Sequence, residues 1–206
     1  MAISRIKPLV YDAVYQAGPL SLIEFFVQGN ATTIQYVDAA SATISRRKGF
    51  EDTNLTEDGR VTETAIQVWG IGLNIIPGDA SGVLNHAADI EAFWERGYLE
   101  LITGDTRTEF TGRIKDFPPR TLREVSGTIE TDASATISGR VTVANRGLLF
   151  PIDGIVIPQG QRFCVRARWD RPLALPSAKT ARFECELWGG LPGAPKPPAA
   201  KAPVRK

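Results

Sequence analysis

RFCVRARW (Arg162–Trp169) and ARFECELW (Ala181–Trp188) decide the fold. Each stretch alternates apolar and polar side chains with a period of two, as a strand does when one face meets a core and the other meets water. Phe163, Val165, Ala167 and Trp169 share one face of the first run; Phe183, Cys185 and Leu187 share one face of the second. The connection from Asp170 to Lys179 contains Pro172 and Pro176. It is longer than the two to five residues of a tight hairpin, which suits a crossing between two sheets. A simple hairpin centred near Leu175 would instead set Arg166 opposite Glu184 as a cross-strand ion pair.

Working outward, Ser21 to Val27 reads as a strand, and Val61 to Ile76 is the longest strand-like run. Gly70 and Gly72 inside that run mark a bulge or a close backbone approach, so the strand is expected to bend and to be covered on both faces near its middle. Leu84, Ala87, Ala88, Ile90, Phe93 and Trp94 recur at helical spacing, predicting one helix over Leu84 to Arg96 that Gly97 stops. Tyr98 to Thr103 and Arg107 to Ile114 flank the turn Gly104-Asp105, Pro118-Pro119 breaks the pattern, and strands resume at Thr136 to Val143 and Ile152 to Ile157. Many short strands with one modest helix predict an all-β fold: a jelly-roll β-sandwich with one short helix and extended termini. The expected organisation is one domain over residues 1–190, residues 1–20 being an N-terminal arm, followed by a Pro/Ala/Lys-rich C-terminal arm over residues 191–206.

The 206 residues carry 24 Lys+Arg against 23 Asp+Glu, a net charge of +1, so no global field steers the protein to nucleic acid or an anionic membrane. Met1 to Val10 lacks the apolar run of a signal peptide, and no stretch approaches the length of a membrane span. The sequons at Asn30 and Asn54 therefore read as loop residues. By parity Cys164 faces outward with Arg166 and Arg168, whereas Cys185 belongs to the core. A bridge between the two is not expected.

Candidate chemistry is sparse. His86 is the only histidine, which excludes multi-histidine metal sites and leaves it a helix-surface or capping role. The acidic run Glu51 to Gly59 lacks the glycine and the terminal glutamate of an EF-hand loop and reads as a solvated turn. Glu109, Asp116 and Glu124 are separated carboxylates that spacing does not select as a hydrolytic pair. Gly70-x-Gly72 lacks the third glycine and the helix of a dinucleotide site. Arg46-Arg47-Lys48, and Arg113, Lys115, Arg120 and Arg123 around Pro118-Pro119, read as solvated basic loops. Trp69 and Trp169 share parity with apolar neighbours and are expected in the core; Trp188 is expected at an exposed face. No catalytic, cofactor-binding or metal-binding residue is assigned, and no enzymatic activity is expected.

The segment Leu191 to Lys206 has prolines at 192, 195, 197, 198 and 203 and cations at 196, 201, 205 and 206, a composition for an extended interaction arm. The bent strand Thr64 to Ile76, the helix ending at Arg96, Gly97-Tyr98-Leu99-Glu100-Leu101 with Gly104, the Phe117-Pro118-Pro119 break, and Phe163-Cys164-Val165 through Leu187-Trp188-Gly189-Gly190 together form a pattern. Over roughly residues 20 to 190 it resembles the small single jelly-roll capsid proteins of tailless icosahedral DNA bacteriophages. The resemblance implies a subunit that self-assembles into an icosahedral shell without catalysis, assembled in the host cytoplasm and resident in the virion. Its partners would be copies of itself and other capsid proteins, with basic loops or the C-terminal arm contacting an internal membrane or nucleic acid. Two other classes fit a β-sandwich: a carbohydrate- or ligand-binding module, and a phage tail or decoration protein.

Overall fold

The structure, a computed structural model, describes residues 9–37, 42–56, 64–78, 83–104, 106–117, 123–132, 135–143, 150–175 and 178–193, the side chains of 37, 83–88, 123–143, 150 and 151 excepted. One four-stranded sheet has the order β1 (Val10–Gln16), β12 (Ala181–Gly190), β5 (Ile66–Ile76), β10 (Phe150–Ile157). The other has the order β2 (Leu20–Phe25), β11 (Phe163–Leu173), β6 (Tyr98–Thr103), β7 (Arg107–Arg113). Two hairpins stand apart from them, β3 (Thr33–Val37) with β4 (Thr43–Arg47) and β8 (Arg123–Asp132) with β9 (Ala135–Val143). One helix, α1 (Val83–Glu95), links β5 to β6.

All pairings are antiparallel, and in the two main sheets they are nested: β1 with β12, β2 with β11, β5 with β10, β6 with β7. Hairpins aside, the first strand meets the last and the second meets the last but one. This long antiparallel ribbon curls so that β12 also lies against β5 and β11 against β6. The two closing strands therefore lie in different sheets, as their long proline-containing connection predicts. The alternative hairpin is excluded by its own ion pair: Arg166 Nε binds Glu24 Oε1 of β2 at 2.6 Å, while Glu184 accepts from Asn74 Nδ2 at 2.9 Å.

Alternation along the closing strands sets the core. Phe163, Val165, Ala167 and Trp169 from one sheet and Phe183, Cys185 and Leu187 from the other belong to a single buried cluster. Phe93 of α1 closes one end of the sandwich, its ring 5.7 Å from Trp169 and 5.4 Å from Phe183. Thus the helical spacing read from the sequence serves one purpose, to place an aromatic bolt between the sheets. Gly97 stops the helix at φ 99°, a left-handed conformation that glycine adopts without steric cost.

The bend expected in the long strand is a β-bulge. Trp188 lies opposite Gly70 and Gly189 opposite Val68, leaving Trp69 as the extra residue. Facing inverts there: Ile66 and Val68 are buried before the bulge, Ile71, Leu73 and Ile75 after it. Trp69 is consequently half-buried, which corrects the expectation that it sits in the core. Gly70 to Leu73 are buried in succession, so the strand is indeed covered on both faces at its middle.

Three further expectations change. Residues 10–16 of the presumed N-terminal arm form β1, paired along its length to β12. Strands β3, β4 and β8 were not anticipated, because their polar or Gly-containing runs carry no clean alternation. Cys164 is on the Arg166 face by register, opposite Ile102, yet is buried, and burial raises its thiol pKa. Both cysteines are free and lie in different sheets. Of the C-terminal arm, Leu191 to Gly193 form an exposed turn; residues 194–206 lie outside the described residues.

Candidate functional site

The charged residues that read as solvated loops converge on the free edge of β1. Thr53 and Asn54 lie alongside that edge: Asn54 Oδ1 accepts the Tyr11 N–H at 3.0 Å, Asn54 Nδ2 donates to the Leu9 carbonyl at 2.7 Å, and Thr53 Oγ1 donates to the Tyr11 carbonyl at 3.0 Å. An edge strand offers unpaired backbone groups to any passing chain, and this segment occupies them. The sequon residue Asn54 is thereby engaged in the fold, whereas Asn30 sits in a turn with its N–H bonded to the Leu55 carbonyl.

Beneath that segment lies a buried ion pair. Lys48 Nζ is 2.7 Å from Asp12 Oδ1, and Lys48 is only 3% exposed. The other oxygen, Oδ2, accepts the Phe26 N–H at 2.7 Å. Phe26 follows β2 with φ 67°, an uncommon conformation for a non-glycine residue, and the carboxylate pins it there. Burial pushes the Asp12 carboxyl above the usual range, against the lowering pull of Lys48.

A second carboxylate, Asp52, is fully buried and organises the turn Gly49–Asp52. It receives two nitrogens of Arg46, the Nη2–Oδ1 distance being 2.9 Å, the Tyr15 hydroxyl at 2.9 Å and the Gly49 N–H at 3.0 Å. Burial alone would raise its pKa; these donors outweigh burial and hold the carboxyl below its ordinary value. Arg46 lies over Tyr15 and Tyr36, which are stacked with centroids 4.7 Å apart, and Arg182 lies over Tyr15 as well. Burial and the bond to Asp52 push the Tyr15 hydroxyl up to about 12. Two expectations are corrected here: Arg46 and Lys48 are internal ion-pair partners, and Asp52 is no part of a solvated turn. Arg47 alone of the three cations is exposed.

A different surface carries an open cleft of about 410 Å³ at the end of α1, beside the 3-10 turn Ile114–Asp116. Trp169 lies at its floor, and its cationic rim is Arg96, Arg113, Lys115 and Arg171, with Glu95 and Asp170 as the acidic members. Arg113 is paired to Asp116 at 3.0 Å and Arg96 to Glu95 at 3.7 Å. Lys115 and Arg171 have no acidic partner among the described residues. The buried indole N–H of Trp169 is without a hydrogen-bond partner; a Cβ on Gly97 would come within 2.6 Å of Nε1, so only glycine lets the chain cross the indole there.

The other residues singled out in the sequence do not assemble into a site. Glu109 accepts from Thr103 Oγ1 at 2.8 Å and pairs with Arg107, and Asp116 serves Arg113. The side chains of His86, Glu124 and Arg123, and all of Arg120, lie outside the described residues. Trp169 is core, as parity predicted; Trp188 is half-buried and donates to Glu186 at 2.9 Å. Among the described residues no group of three potential metal ligands occurs, and no helix is long and apolar enough to cross a membrane. Comparison of the chain with protein-family models, curated proteins and solved structures gave no match.

Proposed function

We propose that the chain is a structural virion protein, a jelly-roll capsid subunit that self-assembles into an icosahedral phage shell. The observation that carries this reading is the nested pairing of eight strands into the orders β1-β12-β5-β10 and β2-β11-β6-β7. A curled antiparallel ribbon of this order supports the jelly-roll reading, the architecture on which viral capsid domains, lectins and cupins are built. A fold does not fix a function, so support must also come from surfaces. Here they are extended by insertions: the β3–β4 hairpin, α1 and the β8–β9 hairpin lengthen the connections, and the edge of β1 is occupied by Thr53 and Asn54, which directs association to side-chain surfaces instead of open strand edges. Such a subunit is assembled in the host cytoplasm and resides in the virion with other copies and other capsid proteins. The 191–206 segment and the exposed basic loops are its points of contact with an internal membrane or nucleic acid.

A carbohydrate-binding module is the principal rival. It needs an exposed aromatic platform, whereas Trp169 is buried and Trp69, Trp94 and Trp188 are half-buried. Negative-stain microscopy and multi-angle light scattering of the purified full chain test the proposal. Rings, sheets or closed particles are the expected result; a strict monomer at high concentration across ionic strengths overturns it.

A further inference from the structure

Resting on the shell-subunit reading, we propose that copies associate head to tail, the Phe50–Glu51 turn of one chain seating in the Trp169-floored basic cleft of the next. Phe50 is 75% exposed, the most exposed large apolar side chain among the described residues. A lone exposed apolar residue is ordinary on a protein surface. Its mount is what sets Phe50 apart. The Tyr11 hydroxyl donates to the Phe50 carbonyl, Arg182 Nη2 donates to the Glu51 carbonyl, and the buried Asp52 carboxylate binds the Gly49 N–H, Arg46 and Tyr15. Side chains from β1, β4 and β12, together with the turn's own Asp52, thus hold a four-residue turn whose outward groups are Phe50 and Glu51. A turn held in this way loses little entropy on docking, and a rigid aromatic is the usual anchor of a protein interface.

The cleft complements that turn in charge. Its volume of about 410 Å³ lies in the range that holds small ligands. Guanidinium groups on the rim suit the face of a phenyl ring, and Lys115 and Arg171, which have no acidic partner among the described residues, are available to a carboxylate. Glu51 is 67% exposed, and its pair with Arg46 at 3.1 Å is a surface contact of small worth, so its charge can be shared with a second chain. The net charge of +1 leaves little long-range repulsion between copies. Turn and cleft are distinct surfaces, so the contact is heterologous, the type that generates rings when the rotation closes.

Sedimentation velocity on the full chain tests this with four variants: Phe50→Ala, Glu51→Lys, the pair Lys115→Glu with Arg171→Glu, and the combination of all three charge reversals. The first three should weaken self-association on the order of tenfold with an unchanged melting temperature, and the combination should recover it. If the wild type associates and every variant associates equally well, this contact is wrong while the shell reading stands. If the reversals weaken association singly and the combination does not recover it, the pairing of these two surfaces is wrong. A wild type that stays monomeric overturns both.

Discussion

At the scale of single residues, the buried charges dominate the expectations. Lys48 is held in a nearly water-free site by Asp12, thirty-six positions away in the chain, and Asp12 also holds the Phe26 N–H. Breaking one member of a buried pair leaves the other charge uncompensated, so Lys48→Met, which strands the Asp12 carboxylate, should cost about 3–5 kcal/mol in urea unfolding. Adding Asp12→Asn, which keeps an acceptor for Phe26, removes the stranded carboxylate and should restore most of that loss; a double variant no better than the single one would show that the charge is not the cause. Asp52 and Asp12 act oppositely on acidification. Asp52 has a folded-state pKa below its unfolded value, so its contribution is complete above about pH 3.9 and is lost as pH falls toward the folded value. Asp12 has a raised folded-state pKa, so its ionised form costs stability at neutral pH and protonation on acidification relieves that cost. Asp52→Asn should therefore be less stable than wild type at pH 7 and show a flatter melting-temperature profile below about pH 4. None of these pairings was legible in the sequence, where Arg46, Lys48 and Asp52 read as polar loop residues. Burial of charge depends on partners supplied from distant strands.

At the scale of elements, two devices govern the first sheet. Its edge strand β1 is closed by Asn54, whose amide bonds both the Tyr11 N–H and the Leu9 carbonyl. Asn54→Ala leaves a donor and an acceptor on that edge without partners and should destabilise by about 1–3 kcal/mol, with faster exchange of the Tyr11 amide hydrogen. Unchanged exchange at Tyr11 would show that the segment does not protect the edge. The central strand β5 depends on Gly189 opposite its bulge, where a Cβ would collide with the Gln67 carbonyl oxygen. Gly189→Ala should cost clearly more than the ~1 kcal/mol by which ordinary glycine replacements shift stability, measured by thermal unfolding. Alternation identified β2, β5, β6, β7, β9, β10, β11 and β12, and helical spacing identified α1, because one-sided burial imposes a period on the residues themselves. The facing of Trp69 escaped the same argument, since one extra residue in a ladder inverts parity and is visible only against the partner strand.

At the scale of the whole molecule, Leu187 is the last member of the buried cluster among the described residues. Deleting residues 195–206 should leave the melting temperature unchanged and lower the yield of assembled particles, read by calorimetry beside light scattering. Equal yields from the truncated and full chains would reduce the segment to a linker. The sequence by itself determined the all-β class, the helix and the inward-facing residues of the closing strands, because each follows from periodicity, while the long proline-containing connection favoured their placement in different sheets over a simple hairpin. Tertiary structure alone decided that residues 10–16 pair with β12, that Arg46 and Lys48 face buried carboxylates, and that Phe50 is fixed in water above them. Those outcomes depend on which distant segments meet, and the free energy of burying a charge or exposing an aromatic ring is set by those neighbours and not by the residue or its place in the chain.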